Sequence, residues 1–171
     1  MNLKMNHTEY DKIKEWILNS GIQNYNLGSQ KFDNEFGGFN SWYNLPEERY
    51  PYIYSEITGY GITALLSMYS KSKDDEVLER AKSAANWVVD HAMEEGGGIR
   101  TRKFYIEHES DDNYSFSKGN IYTFDTGMVL FGLTSLYCET KDEKMLKASI
   151  KIADFLIDLQ KVNGELYAFI N

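Results

Sequence analysis

Cysteine and basic residues are both scarce in this sequence of 171 residues. The single cysteine excludes an intramolecular disulfide and a metal site built from several thiolates. Lysine and arginine number 18 against 26 aspartates and glutamates, so the formal net charge is −8. Because nucleic acids and anionic membranes are bound through basic surfaces, we expect neither as a partner.

Long apolar runs and cofactor motifs are also missing. No window approaches 18 consecutive apolar residues, and no apolar stretch after the first lysine could form the core of a signal peptide. We therefore expect a cytoplasmic location. No glycine-rich phosphate-binding motif occurs, and the three histidines are too scattered for a zinc site. We expect no metal and no cofactor.

What the sequence does contain is enough apolar material for one folded domain spanning residues 1–171. Hydrophobic residues make up 42% of the chain and charged residues 26%, which is typical of a globular protein. The length allows a sizeable core and is short for two domains.

The most informative feature is an internal repeat. Residues 54–96 align with residues 122–164 without a gap, and 12 of the 43 positions are identical. The shared positions include a Thr-Gly step, Thr58-Gly59 in the first unit and Thr126-Gly127 in the second. Repetition at a fixed period is typical of stacked units that share one core.

Each repeat unit predicts two helices. The first segment of each unit begins at the Thr-Gly step and is apolar almost all round, which predicts an inner helix buried on two sides. The second segment carries a narrow apolar stripe beside charged residues, which predicts an outer helix. Residues 8–38 predict an earlier half unit with an outer helix of its own. We therefore expect an all-α fold.

The segments YPYIYSEITGYGITALLSMY and IYTFDTGMVLFGLTSLYCET, which open the two inner helices, resemble the α/α toroids of the six-hairpin glycosidase-like superfamily. The likeness is closest to members that are encoded beside polysaccharide genes. The resemblance covers residues 8 to 171 and implies an α/α toroid with its ligand site in a central bowl. Such toroids close with about six hairpins, whereas two and a half are predicted here. The resemblance thus implies an incomplete ring, whose open edge is covered by a missing C-terminal portion or by another copy in a homo-oligomer.

Two acids are the candidate catalytic residues. Glu56 and Asp125 lie where the chain enters the two inner helices, which in such toroids line the bowl. Cleavage of a glycosidic bond needs two carboxyl groups, one acting as acid and the other as base or nucleophile. The alternative is structural, with Asp125 capping a helix that begins at Thr126 and Glu56 bonding the backbone of its own turn.

Aromatic and basic residues are candidates for substrate contacts. Trp42, Tyr54 and Tyr60 come from a stretch unusually rich in aromatic side chains, which stack on the faces of sugar rings. Tyr122 is the repeat counterpart of Tyr54. Arg100 and Arg102 belong to a basic cluster in the loop 96–120 that could receive the carboxylate of an acidic sugar. Packing over helix ends and a solvated loop explain the same residues without a ligand.

Two functions remain compatible with the sequence. One is a carbohydrate-active enzyme, or part of one, that acts on a glycan as a glycoside hydrolase or as an epimerase of uronic-acid or amino-sugar type. The other is a noncatalytic helical-repeat module that binds glycan or protein on its concave face.

Overall fold

Five α-helices dominate the computed structural model, which describes residues 7–25, 34–106 and 113–171. The helices are α1 (His7–Asn19), α2 (Ser55–Ser72), α3 (Asp75–Trp87), α4 (Thr123–Thr140) and α5 (Glu143–Asp158). Four short strands stand beside the inner helices, namely β1 (Tyr52–Tyr54), β2 (Arg102–Phe104), β3 (Ile121–Tyr122) and β4 (Phe169–Ile170). The expected all-α architecture is confirmed. Within the described ranges, none of the helices has the length and apolar character needed to cross a bilayer.

The helices form two hairpins, α2–α3 and α4–α5, whose inner helices α2 and α4 pack against each other. One buried apolar cluster runs through both hairpins and includes Ile53, Ile62, Leu65, Trp87, Leu133 and Ile152. Helix α1 packs on the first hairpin, where the Tyr10 hydroxyl donates to the Met68 carbonyl oxygen at 2.9 Å. It therefore precedes α2 as an outer helix, as α3 precedes α4.

The repeat seen in the sequence is reproduced in the helix ends. α2 and α4 have the same length and are followed by the C-cap residues Lys73 and Lys141, whose φ angles of 54° and 59° are left-handed. The next residues, Asp74 and Asp142, cap α3 and α5 by accepting a backbone N–H two residues later. Like sequences thus close both hairpins with like turns.

The Thr-Gly step has a structural explanation. Thr58 and Thr126 lie inside the first turns of α2 and α4, because the helices begin three residues earlier than the step itself. The hydroxyl oxygens of these threonines accept the backbone N–H of Phe39 and Ile99, respectively, at 3.0 and 3.4 Å. Each threonine therefore fastens the preceding segment of chain to the inner helix.

Glycine allows the two inner helices to approach closely. A Cβ atom added to Gly59 would lie 2.7 Å from the Met128 carbonyl oxygen, and one added to Gly132 would lie 2.9 Å from the Gly59 carbonyl oxygen. Both contacts are with backbone, so a larger residue would push α2 and α4 apart. A Cβ on Gly127 would meet no atom of the described residues within 4 Å, so close approach of helices does not explain the glycine at that position.

A π-helical turn, Val88–Ala92, changes the register of the repeat. It adds one residue to the first unit after α3, as π turns inserted in α-helices do. The structural counterpart of Gly164 is therefore Gly97, with φ angles of +87° and +96°, and not the aligned Gly96. With the same one-residue shift, Thr101 corresponds to Ala168. The Thr101 carbonyl oxygen accepts the N–H of Ser55, and the Ala168 carbonyl oxygen accepts the N–H of Thr123.

The half unit before α2 contains the same glycine turn as the two full units. Gly37 has a φ of +101°, and an added Cβ would run into the Ser83 backbone of α3, as one on Gly97 would run into the Lys151 backbone of α5. Gly37, Gly97 and Gly164 are thus equivalent turns that follow the three outer helices. Residues 26–33 of the predicted half unit 8–38 lie outside the described residues.

Candidate functional site

The candidate site forms where short strand pairs lead into the inner helices. β1 pairs antiparallel with β2, which places Tyr54 opposite Arg102, and β1 runs directly into α2. β3 pairs with β4 and runs directly into α4. Since α2 and α4 are neighbours, the first turns that carry Glu56 and Asp125 lie side by side.

Asp125 is the most unusual group of the site. Its side chain is only 5% exposed, and its Oδ2 atom has no hydrogen-bond partner among the described residues. Burial, and secondarily the negative charge of Glu56, raise the pKa of Asp125 to about 6. The Thr101 hydroxyl and the Arg102 guanidinium act in the opposite direction. A carboxyl group with a pKa near 6 can exist in both protonation states close to neutral pH.

Tyr54 connects the two acids. Burial raises the pKa of the Tyr54 hydroxyl, and so do a hydrogen bond to Glu56 and the charge of Asp125. Arg102 opposes the shift. The structure thus brings Tyr54, Glu56, Arg102 and Asp125 together, although Glu56 and Asp125 are one position apart in the repeat alignment and the residue aligned with Asp125 is Ile57.

Asp125 is not the N-cap of a helix that begins at Thr126, because α4 begins at Thr123, whereas the alternative of a backbone bond for Glu56 stays open. The N-cap residues of α2 and α4 are Tyr54 and Tyr122, and neither makes a capping bond with its side chain. Asp125 lies in the first turn of α4, where its carboxylate accepts a hydrogen bond from its own backbone N–H.

Arg102 lies at the centre of a row of aromatic rings. Its guanidinium carbon lies 4.0 Å from the ring centroid of Tyr114 and 5.1 Å from those of Tyr52 and Tyr54. Such cation–π contacts hold the guanidinium against the rings. Arg102 is therefore oriented by aromatic faces beside the carboxyl groups.

The row of aromatic rings continues at both of its ends. Tyr122 stacks on Tyr114 with centroids 5.0 Å apart and an interplanar angle of 7°, and it also contacts Phe169 at 5.5 Å. At the other end, Trp42 meets Tyr52 edge-on at 5.1 Å. Trp42 and Phe169 are 61% and 46% exposed, so both ends of the row present aromatic surface to solvent.

Two of the predicted site residues lie apart from this cluster. The Arg100 guanidinium donates to a carboxylate oxygen of Glu94 and to the carbonyl oxygen of Gly119, both at 2.6 Å. Tyr60 is 42% exposed on α2, and within the described ranges its ring makes no hydrogen bond or ring contact. A contact of either residue with a ligand stays a prediction.

Sequence reasoning missed three groups that shape the site, namely Thr101, Tyr52 and Tyr114. Tyr52 is 2% exposed, and its ring contacts those of Trp42 and Phe104. Tyr114 comes from the loop 96–120, of which residues 107–112 lie outside the described part of the chain. The density of tyrosine before α2 pointed to Tyr52, whereas nothing in the sequence distinguished Tyr114 or Thr101.

The neighbouring carboxyl groups of Glu56 and Asp125 are suited to acid–base chemistry. Among the residues that the structure describes, no three histidine, cysteine or acidic side chains are placed to hold a metal ion. A cavity of about 250 Å³ beside α3 is lined by other residues, including Tyr25, Trp87 and His91.

Comparisons with known proteins give structural likenesses only. No protein-family model and no curated protein sequence matches the chain. A sugar epimerase from a ruminal bacterium is 13% identical, with a TM-score of 0.68 over 95% of this chain and 40% of that one. An inactive variant of an alpha-1,6-mannanase from Salegentibacter sp. HEL1_6, solved with alpha-1,6-mannotetrose, is 22% identical, with a TM-score of 0.62 over 75% of this chain and 37% of that one.

A third likeness is to an unsaturated glucuronyl hydrolase specific for heparin. It is 15% identical, with a TM-score of 0.63 over 78% of this chain and 37% of that one. All three are six-hairpin glycosidase-like toroids. This chain spans about two fifths of their length or less.

Proposed function

Because the fold is an arc of the six-hairpin glycosidase-like toroid, we propose that the protein is a carbohydrate-active enzyme, or an arc of one, with its site at the entrances of α2 and α4. The observation that carries the proposal is the pairing of Glu56 with Asp125, a buried carboxyl group whose Oδ2 atom has no partner in the described part of the chain. Burying such a group costs stability, and groups with shifted pKa values cluster at functional sites. The structural likenesses to two glycan hydrolases and a sugar epimerase support the same class.

The proposed mechanism divides the chemistry between the two acids. Asp125, whose pKa of about 6 keeps part of it protonated near neutrality, donates a proton to the departing glycosidic oxygen. Glu56 acts from the neighbouring helix in one of two ways: as the base that takes a proton from the water attacking the anomeric carbon, or as the nucleophile whose bond to that carbon is then hydrolysed by water. Tyr54 orients Glu56 through its hydrogen bond. In the epimerase variant of the proposal, the same two acids remove and return a proton on a sugar carbon.

The aromatic row provides the proposed glycan contacts. Trp42, Tyr122 and Phe169 would stack on the C–H faces of sugar rings, and the Tyr54 hydroxyl would bond a sugar hydroxyl. Arg102 would donate hydrogen bonds from its fixed position over the rings. Its charge acts on Asp125, whose pKa it lowers.

A substrate panel tests this function. We expect turnover with alpha-1,6-linked manno-oligosaccharides, with an unsaturated glucuronyl disaccharide, or in an epimerisation assay with free sugars. Glu56→Gln should lower kcat on the active substrate by about 10²-fold or more, the contribution expected of a positioned acid or base. Glu139→Gln removes an exposed carboxylate at the other end of α4 and should leave kcat unchanged.

Two results would contradict the catalytic proposal. One is equal turnover in wild type and Glu56→Gln. The other is glycan binding without any turnover, weakened by Trp42→Ala and unaffected by Glu56→Gln, which would identify a noncatalytic binding module.

A further inference from the structure

The cavity beside α3 shares no residue with the candidate site. It has a volume of about 250 Å³, and its lining comes from α3, from the π-helical turn and from the chain on either side of the first glycine turn. Tyr54, Glu56, Arg102 and Asp125 are not part of it. Pockets for drug-sized ligands measure roughly 300–1,000 Å³, so this cavity suits one sugar-sized ring rather than a chain of rings.

One wall of the cavity is aromatic. Tyr25 and Phe36 line it, with ring centroids 5.1 Å apart and an interplanar angle of 32°. The Arg80 guanidinium carbon lies 4.4 Å from the Tyr25 centroid, and its Nη2 atom lies 2.9 Å from Glu76 Oε1. Arg80 is only 1% exposed, so it supports the Tyr25 ring from a fixed position. Aromatic rings of this kind pack against the C–H face of a sugar.

The charged groups at the cavity are compensated in pairs. Lys82 Nζ lies 2.7 Å from Glu79 Oε1, and both residues line the cavity. The second carboxylate of the lining, Asp90, has its Oδ2 atom 2.8 Å from Nζ of Lys144, which belongs to α5. Among the lining residues that the structure describes, no carboxylate or ammonium group is therefore left to bind a charged ligand.

Two other polar side chains of the lining keep their capacity for hydrogen bonds. Asn86 accepts a bond from Lys144 on Oδ1 at 2.8 Å, and its Nδ2 hydrogens have no partner in the described ranges. His91 makes no hydrogen bond to any described residue. Both side chains are exposed. An amide and an imidazole beside an aromatic wall match the hydroxyl groups and the C–H face of a sugar.

The π-helical turn Val88–Ala92 contributes His91 to the cavity. The equivalent outer helix, α5, leads to the equivalent glycine turn at Gly164 without a π turn and contains no histidine. The repeat therefore requires neither the insertion nor the imidazole. Since π turns occur frequently at functional sites, this one indicates a role that is specific to the first unit.

We propose that the cavity beside α3 is a binding site for one neutral sugar ring. The ring packs on Tyr25 and Phe36, and its hydroxyl groups form hydrogen bonds with Asn86 Nδ2 and with the His91 imidazole. This site holds a glycan without contributing to the chemistry at the two acids. It binds sugar whether or not Glu56 is catalytic.

The three tryptophans of the chain allow binding to be located by NMR. The indole N–H signals of Trp16, Trp42 and Trp87 are followed while the intact chain is titrated with D-mannose, D-glucose and D-galactose. We expect at least one sugar to shift the Trp87 signal, because Trp87 lines the cavity, and to leave the Trp16 signal in place. The Trp87 titration should be the same in Glu56→Gln, so it is independent of the proposed catalysis.

Two variants test the proposed contacts. His91→Ala removes a hydrogen-bonding group and Phe36→Leu removes an aromatic face, so each should raise the Kd of the sugar about threefold to tenfold. Glu139→Gln changes an exposed carboxylate outside the cavity and should leave the Kd unchanged. Unchanged Trp16 and Trp42 signals show that a variant keeps the wild-type fold.

Four results would overturn the proposal. One is a Trp87 signal that none of the three sugars shifts, and another is a shift of the Trp42 signal alone, which would place the sugar at the aromatic row. A third is an undiminished affinity in both His91→Ala and Phe36→Leu. The fourth is tighter binding of inorganic phosphate or tetramethylammonium than of any sugar, because the cavity would then select a charged ligand.

Discussion

The Asp125→Asn variant is expected to be more stable than the wild type at pH 8, by about 3 kcal/mol, and to lose turnover. The folded-state pKa of Asp125, about 6, is above the ordinary value of 3.8 because the group is buried and next to Glu56. Such a group stabilises the fold fully below pH 3.8, and this contribution is lost as the pH rises through 6. Asparagine has nearly the same shape and no charge, so it removes the cost of the buried carboxylate at high pH.

The pH dependence of stability distinguishes the cost of a buried Asp125 carboxylate from the simple loss of a contact. The difference in unfolding free energy between Asp125→Asn and wild type, measured by urea denaturation, should be close to zero at pH 3.5, grow between pH 4 and 6 and level off above pH 6. Asp158→Asn removes an exposed acid at the end of α5 and should show no such curve. A variant at Asp125 that is less stable than wild type at pH 8 would mean that the carboxylate supports the fold rather than strains it.

Alanine at the two repeat-equivalent glycines is expected to change stability in opposite directions. Gly59→Ala places a Cβ 2.7 Å from the Met128 carbonyl oxygen, so α2 and α4 must separate, at a cost of about 1–3 kcal/mol. Gly127→Ala meets no atom within 4 Å and gains helix propensity, so it should stabilise the chain by up to about 1 kcal/mol.

Thermal unfolding of the two variants provides the comparison, because each serves as the control for the other. Equal effects of the same sign would contradict the close approach of the inner helices at Gly59.

The architecture could be predicted from the sequence because the sequence contains the helical unit twice. The Thr-Gly step, the polar turn and the apolar inner helix recur at constant spacing, so each unit confirms the other. The beginnings of the inner helices were predicted three residues late, because Tyr54 and Tyr122 end short strands without capping side chains. The π turn after α3 shifts the register by one residue, and no residue type signals such a turn.

The candidate site was predictable only in part. Glu56 and Asp125 were identified because they precede the Thr-Gly steps, but their convergence depends on how α2 and α4 lie side by side, which the sequence does not encode locally. The basic cluster separated on folding, since Arg100 pairs with Glu94 whereas Arg102 lies on the tyrosine rings. Strand pairing across distant segments brings Arg102 beside Tyr54, and such long-range contacts have no short sequence signature.

The most direct test of the paired carboxyl groups is an NMR titration of the Asp125 carboxyl carbon in the wild type and in Glu56→Gln. The account predicts a wild-type pKa of about 6 for Asp125 and a lower pKa in Glu56→Gln, because the variant removes a neighbouring negative charge. A wild-type pKa near the ordinary value of 3.8, or one that does not respond to Glu56→Gln, would contradict it.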